Sequence, residues 1–192
     1  MIIGILALQG GVDRHERTFK QLNVETKRVR LPEDLHTIDG LVLPGGESTT
    51  MIKLIHSYNL FEPLKSFANE KPVFGTCAGS ILMGRESTDF EWETLNLIDV
   101  SVARNAYGTQ VDSFIDEFTF NGNTVEAMFI RAPKFTSVGN AEVMAEHNGL
   151  PVIVRNEHHM MMTCHPELTN ELEVHRYFID TFVKPKRARS VS

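Results

Sequence analysis

The chain opens on an apolar run, Ile2 to Leu8, broken only by Gly4 and bounded by Gly10-Gly11. Short, continuous apolar runs of this kind mark strands buried on both faces. Val12 to Leu22 is polar, with Phe19 and Leu22 at helical spacing, and predicts a helix. Val24 to Leu31 alternates and stops at Pro32, which predicts a second strand. Gly40 to Leu43 predicts a third, stopped by Pro44-Gly45-Gly46; Ser48 is placed to cap the helix that follows, with Met51, Ile52, Leu54 and Ile55 on it. A further helix is predicted over about Leu60 to Phe67, a fourth strand at Pro72 to Gly75, and a helix directly after Cys77 carrying Ile81, Leu82 and Met83.

Strands alternating with helices at these spacings predict an α/β fold of three layers, with a mostly parallel central sheet and helices on both faces. The second half reads differently. Asn121-Gly122 separates Phe114–Phe120 from Val125–Ile130, and Asn148-Gly149 separates Val143–His147 from Leu150–Val154. Asn-Gly between two strand-like runs is a tight hairpin signal, so antiparallel strands are expected to join the parallel core. Asn170 to Val183 predicts a closing helix with Leu172, Phe178, Ile179 and Phe182 available to pack. One domain over 1–183 is expected, followed by a basic, frayed tail at 184–192 that holds Lys184, Lys186, Arg187 and Arg189.

Composition narrows the field. With 42% hydrophobic and 23% charged residues, the 192-residue chain has the profile of a soluble globular protein. A formal net charge of −6 disfavours a nucleic-acid partner, because phosphate backbones demand a basic face. No apolar run near the start is long enough for a bilayer, and the first lacks the flanks of a signal peptide, so neither membrane insertion nor export is expected. Two cysteines, Cys77 and Cys164, make no disulfide framework and fit a reducing, cytoplasmic setting.

Three segments carry candidate chemistry. Gly75-Thr76-Cys77-Ala78-Gly79, between a strand and a helix, has the spacing of a nucleophile elbow at Cys77. Small flanking residues allow the sharp turn, and the first amides of the new helix favour negative charge beside the sulfur. His165-Pro166-Glu167 supplies a base and a group to orient it. Pro166 biases His165 to an extended backbone, and residues two apart in an extended segment share a side, which would lay Glu167 beside the imidazole. Pro44-Gly45-Gly46-Glu47-Ser48 follows a strand's carboxyl end and can offer a bare backbone N–H to a developing oxyanion, with the amide of Ala78 as a second donor. Cys164 lacks any elbow and is expected to pack. His158-His159 before Met160-Met161-Met162 is read as an alternating strand with Met on both faces, and no metal site is expected.

Together these segments resemble the class I (triad) glutamine amidotransferases, and within them the glutaminase subunit of pyridoxal 5'-phosphate synthase. The resemblance extends through Ala7-Leu8-Gln9-Gly10, Leu43 to Thr50, Arg104-Asn105 with Gln110 to Phe114, Phe129-Ile130-Arg131-Ala132-Pro133, and His165 to Thr169. It implies a triad of Cys77, His165 and Glu167. It also implies an oxyanion hole at Gly46 and Ala78, and a glutamine site lined by Gly46, Glu47, Ser48, Arg104, Ile130 and Arg131. It further implies hydrolysis of L-glutamine through a cysteinyl thioester, no cofactor, and delivery of ammonia to a separate synthase subunit. That partner would combine it with ribose 5-phosphate and glyceraldehyde 3-phosphate. The length fits a glutaminase with no synthase domain fused to it. Four places depart from the family's usual residues: Thr109 stands for Arg, Cys164 for Phe and Gly11 for Ala, and Asn156 to Met162 is rich in His and Met.

Two other readings compete. A related cysteine amidohydrolase acting on another amide would not need the Arg104 and Phe129–Pro133 blocks. A non-catalytic regulatory subunit would have no need of Cys77, His165 and Glu167 together.

Overall fold

The computed structural model describes residues 1–104 and 113–185. Its centre is a seven-stranded sheet. In spatial order the strands are β10 (Glu142–His147), β11 (Leu150–Arg155), β12 (Met160–Met162), β4 (Val73–Thr76), β3 (Gly40–Leu43), β1 (Ile2–Leu6) and β2 (Glu25–Val29). The five from β12 to β2 run parallel, and β11 and β10 are added antiparallel at one edge.

The strands are apolar on both sides because both sides are covered. Val42, Phe74, Met160 and Met162 face one cluster, with Phe19 of α1 (Val12–Gln21) and Val174 and Phe178 of α5 (Glu173–Phe178). Leu41, Leu43, Val73 and Met161 face the other. There they meet Met51, Ile52 and Ile55 of α2 (Ser48–Ser57), Leu64 of α3 (Phe61–Glu70) and Leu82 of α4 (Ala78–Met83). The three consecutive methionines therefore alternate between layers, as the period of two in a strand requires. Each large side chain buried in these layers contributes roughly 1.5–3 kcal/mol.

Both Asn-Gly pairs form two-residue hairpin loops with positive φ at each position, 51° and 78° at Asn121-Gly122 and 51° and 73° at Asn148-Gly149. That is the type I′ geometry matched to strand twist. Only the second hairpin joins the central sheet. The first, β7 (Phe114–Phe120) with β8 (Asn123–Phe129), forms a two-stranded sheet of its own, packed through Phe120, Val125 and Ala127 onto the α1/α5 cluster. A further three-stranded sheet of β5 (Gly84–Thr88), β6 (Ile98–Ala103) and β9 (Lys134–Ser137) goes beyond what the sequence pattern predicts. β5 is mostly exposed and carries no apolar stripe, so periodicity does not reveal it.

Two local expectations change. Glu47, rather than Ser48, caps α2: its carboxylate accepts from the amides of Thr49 (3.1 Å) and Thr50 (2.6 Å). The longer side chain reaches amides two and three residues on, while Ser48 is buried as the first helical residue. The closing helix starts at Glu173 and ends in a π-type turn, Ile179–Val183. Lys184 and Pro185 continue as helix, with Lys184 Nζ 2.6 Å from Asp180 Oδ1; residues 186–192 lie outside the described residues. No helix among the described residues is long and apolar enough to cross a membrane.

Candidate active site

The carboxyl ends of β1, β3, β4 and β12 open onto one cavity of about 480 Å³. Gly46, Glu47, Ser48, Cys77, Ala78, Arg104, Ile130, Arg131, His165 and Glu167 all line it, so every site residue predicted from sequence converges there.

Cys77 sits on the turn between β4 and α4 at φ 47° and ψ −105°, a backbone region that non-glycine residues rarely occupy. The surroundings hold it there. Its amide donates to Met162 O at 2.9 Å, and its carbonyl accepts from the Ser80 amide at 3.0 Å and from Ser80 Oγ at 2.7 Å. The flanking glycines are steric necessities. A Cβ on Gly79 would collide with the Leu43 carbonyl, and one on Gly75 would come within 2.9 Å of the Gly79 carbonyl carbon. Backbone thus packs on backbone, and the sulfur is left at the cavity floor, 7% exposed.

His165 comes from the far end of the chain. Its backbone is clamped to β8 by two bonds, His165 N to Met128 O (2.9 Å) and Met128 N to His165 O (3.1 Å). Its ring packs against Gly45, where any side chain would overlap it. The imidazole lines the cavity with Cys77 and meets Glu167 Oε1 through Nδ1 at 2.7 Å. The expected strand alternation does not produce this pairing. His165 is extended (φ −120°, ψ 92°), but Pro166–Leu168 is a 3₁₀ turn that swings Glu167 back under the ring.

Electrostatics follow from this packing. Burial opposes charge on His165, but its bonds to Cys77 and Glu167 outweigh burial and lift its pKa to about 10. Burial likewise opposes charge on Glu167, and the neighbouring His15 and His165 outweigh it, holding the carboxyl at about 2. Cys164, one residue before His165, differs. It is fully buried in the α1/α5 cluster, and burial together with the Glu167 and Cys77 charges pushes its thiol well up.

The cavity wall is organised by Gln9, Glu47 and Arg104. Gln9 Oε1 accepts from the Glu47 amide at 3.1 Å and packs against Gly46, which fixes the Gly45–Glu47 loop. Arg104 Nη2 lies 3.7 Å from Glu47 Oε1, and Nη1 donates to Asp89 O at 2.8 Å. Arg131 is exposed at the rim with φ 41°. Asn105, Thr109 and Gln110 to Asp112 lie outside the described residues. Among the described residues no three His, Cys, Asp or Glu side chains are grouped to hold a metal ion.

Sequence reasoning missed four contributors. Gln9 and Gly10 appear in the resemblance with no role attached, yet Gly10 (φ 98°) lets the chain pass against the Gly45 carbonyl. His15 and His175 lie buried behind Glu167. A histidine three to four residues before Thr18 and Phe19, on the buried side of α1, was the available signal.

A mostly parallel sheet with this cysteine, histidine and glutamate gathered at its carboxyl edge has the architecture of the triad glutamine amidotransferases. The chain belongs to the SNO glutamine amidotransferase family, which it matches over residues 5–184. It is 46% identical over 179 residues to pyridoxal 5'-phosphate synthase subunit PdxT of Francisella philomiragia, covering 93% of this chain and 97% of that one. The PdxT of Francisella tularensis subsp. holarctica is 45% identical over 178 residues, covering 92% and 97%. A crystal structure described as that of a glutamine amidotransferase superposes with a TM-score of 0.90 at 38% identity, covering 94% of this chain and 98% of that one. One chain of the PurLQS structure from Thermotoga maritima shares the fold, with a TM-score of 0.68 at 13% identity over 93% and 97% of the two chains.

Proposed function

We propose that this chain is the glutaminase subunit of a pyridoxal 5'-phosphate synthase. It hydrolyses L-glutamine to L-glutamate and ammonia, and hands the ammonia to a separate synthase subunit. The observation that carries the reading is Cys77, His165 and Glu167 gathered on one cavity, with His165 Nδ1 2.7 Å from Glu167 Oε1 and the cysteine on a positive-φ elbow.

His165 takes the Cys77 proton, and the sulfur attacks the side-chain amide carbon of glutamine. The amides of Gly46 and Ala78 receive the negative charge on the carbonyl oxygen. The imidazolium returns its proton to the leaving nitrogen, the C–N bond breaks, and ammonia departs from a cysteinyl thioester. Water then gives a proton to His165 and attacks the thioester carbon, which releases glutamate and the thiol. Glu167 fixes the ring's orientation and stabilises its charged form. Arg104, whose fork suits a carboxylate, holds the amino-acid end of glutamine, with Glu47, Ser48, Ile130 and Arg131 as the other walls. These steps need no metal or organic cofactor. The cytoplasm is the setting, since it keeps Cys77 reduced.

The test is ammonia release from glutamine with the synthase subunit present, comparing the wild type with Cys77→Ala. Loss of release, together with loss of labelling by a glutamine-like electrophile, is the expected result. Undiminished turnover overturns the assignment.

A further inference from the structure

Behind the catalytic carboxylate lies a second pair of histidines that the steps above do not use. His15 and His175 are both fully buried, and neither lines the cavity. His15 Nε2 is 3.6 Å from Glu167 Oε1 and 3.3 Å from Thr76 Oγ1, the hydroxyl of the residue before Cys77. His15 Nδ1 is 2.9 Å from His175 Nε2. The rings are held in place by Phe19, edge-on to His175 with centroids 5.0 Å apart, and by Phe74, edge-on to both.

We infer that His15 is a positioning residue for the reaction: its Nε2–H faces the Glu167 carboxylate and steadies it under His165, while His175 donates to Nδ1 and so fixes that tautomer. This inference rests on the role given to Glu167 above.

The arrangement of protons follows from counting donors and acceptors. An ionised carboxylate only accepts, so the ring nitrogen facing Glu167 is favourable as N–H and repulsive as a lone pair. With the proton on Nε2, a neutral His15 offers a lone pair at Nδ1. The 2.9 Å contact then requires His175 to donate from Nε2. His175 is left with an unprotonated Nδ1, and that atom is indeed buried with no hydrogen-bond partner among the described residues. The opposite arrangement would aim two lone pairs at each other beside Glu167 and bury an unpaired N–H on His175, a costlier loss. Both rings are neutral near pH 7: burial lowers the pKa of His15, and burial followed by the neighbouring His15 lowers that of His175 to about 3. Glu167 Oε2 is buried without a partner among the described residues, so Oε1 bears the interactions that hold the carboxylate, and His15 supplies one of them.

Two measurements decide the matter. In the full chain carrying ¹⁵N-labelled histidine, long-range proton–nitrogen correlation at pH 7 is expected to find the ring proton of His15 on Nε2 and that of His175 on Nε2. A proton on His15 Nδ1 overturns the inference. Ammonia release with the synthase subunit present is then compared for His15→Phe, which keeps volume without a donor, and His15→Gln, whose amide N–H₂ reaches the place of Nε2. A loss in kcat of about 10-fold or more is expected for His15→Phe, on the scale seen for partners standing behind a functional histidine. KM for glutamine is expected to stay unchanged, and His15→Gln to recover most of the loss. Equal turnover in His15→Phe and wild type, or a rise in KM with kcat intact, overturns it. Should His15→Phe fail to fold, the tautomer and His15→Gln still decide: native turnover in His15→Gln supports the donor role and deep loss opposes it. If Cys77→Ala keeps full turnover, the glutaminase reading fails, and the proton positions still report on the histidine pair.

Discussion

Cys77 and Cys164 are both buried, both reduced, and both neighbours of the same histidine, yet they sit in opposite surroundings. Cys77 occupies a left-handed turn at the mouth of a helix and shares with His165 the cavity above it. Cys164 is sealed among apolar side chains, and its thiol is held protonated by burial and by the charges on Glu167 and Cys77. Proximity to an imidazole does not make a nucleophile. Backbone direction does, because it decides whether the sulfur meets the ring and the substrate or the core.

The sharpest way to break this contrast is to exchange the outcomes. Cys77→Ala is expected to lower glutamine hydrolysis by ~10³-fold or more, on the scale of losing a triad nucleophile. Cys164→Ala is expected to leave turnover near wild type and to cost about 1–2 kcal/mol in denaturant unfolding, from the small cavity it leaves. Activity that depends on Cys164 would reverse the assignment. Next comes Glu167→Gln, which removes the charge from the group that orients His165. Turnover is expected to fall by ~10²–10⁴-fold, while alkylation of Cys77 persists at a reduced rate.

The same substitution has a pH signature. Glu167 titrates at about 2 in the folded chain against an ordinary 4.5, so its stabilisation is complete above pH 4.5 and is lost as pH falls toward 2. His165 titrates at about 10 against 6.5, so its stabilisation is complete below pH 6.5 and is lost as pH rises toward 10. The gap in unfolding free energy between wild type and Glu167→Gln is therefore expected to be widest between pH 4.5 and 6.5, on the order of 3 kcal/mol. Chemical denaturation across that range measures it, and a flat difference would sink the coupling.

Gly79→Ala tests the elbow itself. The added methyl overlaps the Leu43 carbonyl, and a loss of about 1–3 kcal/mol is expected, with activity falling as the turn opens. The smallest effect is expected from Gly11→Ala. The new Cβ would lie 3.6 Å from Glu167 Oε1, an ordinary contact, at a backbone φ of −76° that alanine tolerates. Restricting the unfolded chain should then stabilise the protein by about 0.4–1 kcal/mol, read as a higher midpoint in denaturant.

Much of this was legible from residue order because it is local. The elbow is written in five consecutive residues, and each Asn-Gly pair specifies its own turn. Strand runs buried on both faces declare a covered parallel sheet. What stayed hidden depends on distant neighbours. β6 has alternating Ile98, Val100 and Val102, but its partners β5 and β9 are short or polar and give it no visible company. The Glu167 contact was expected for the wrong reason, since a 3₁₀ turn and not an extended strand makes it. His15 looked like one more polar residue on a polar helix, because only the packed fold shows that its side of α1 is the inner one.

The pairing of β4 with β12 has a consequence for how such a chain can vary. Phe74, Gly75 and Thr76 lie in register with Met160, Met161 and Met162, so Cys77 and His165 are issued from adjoining rails of one rigid frame. Of the excursion between those rails, β8 steadies the His165 end through Met128, while the β5–β6–β9 sheet pairs with neither rail. Loops along that excursion can lengthen, shrink or be remodelled to suit a different ammonia acceptor while the cutting edge keeps its gauge.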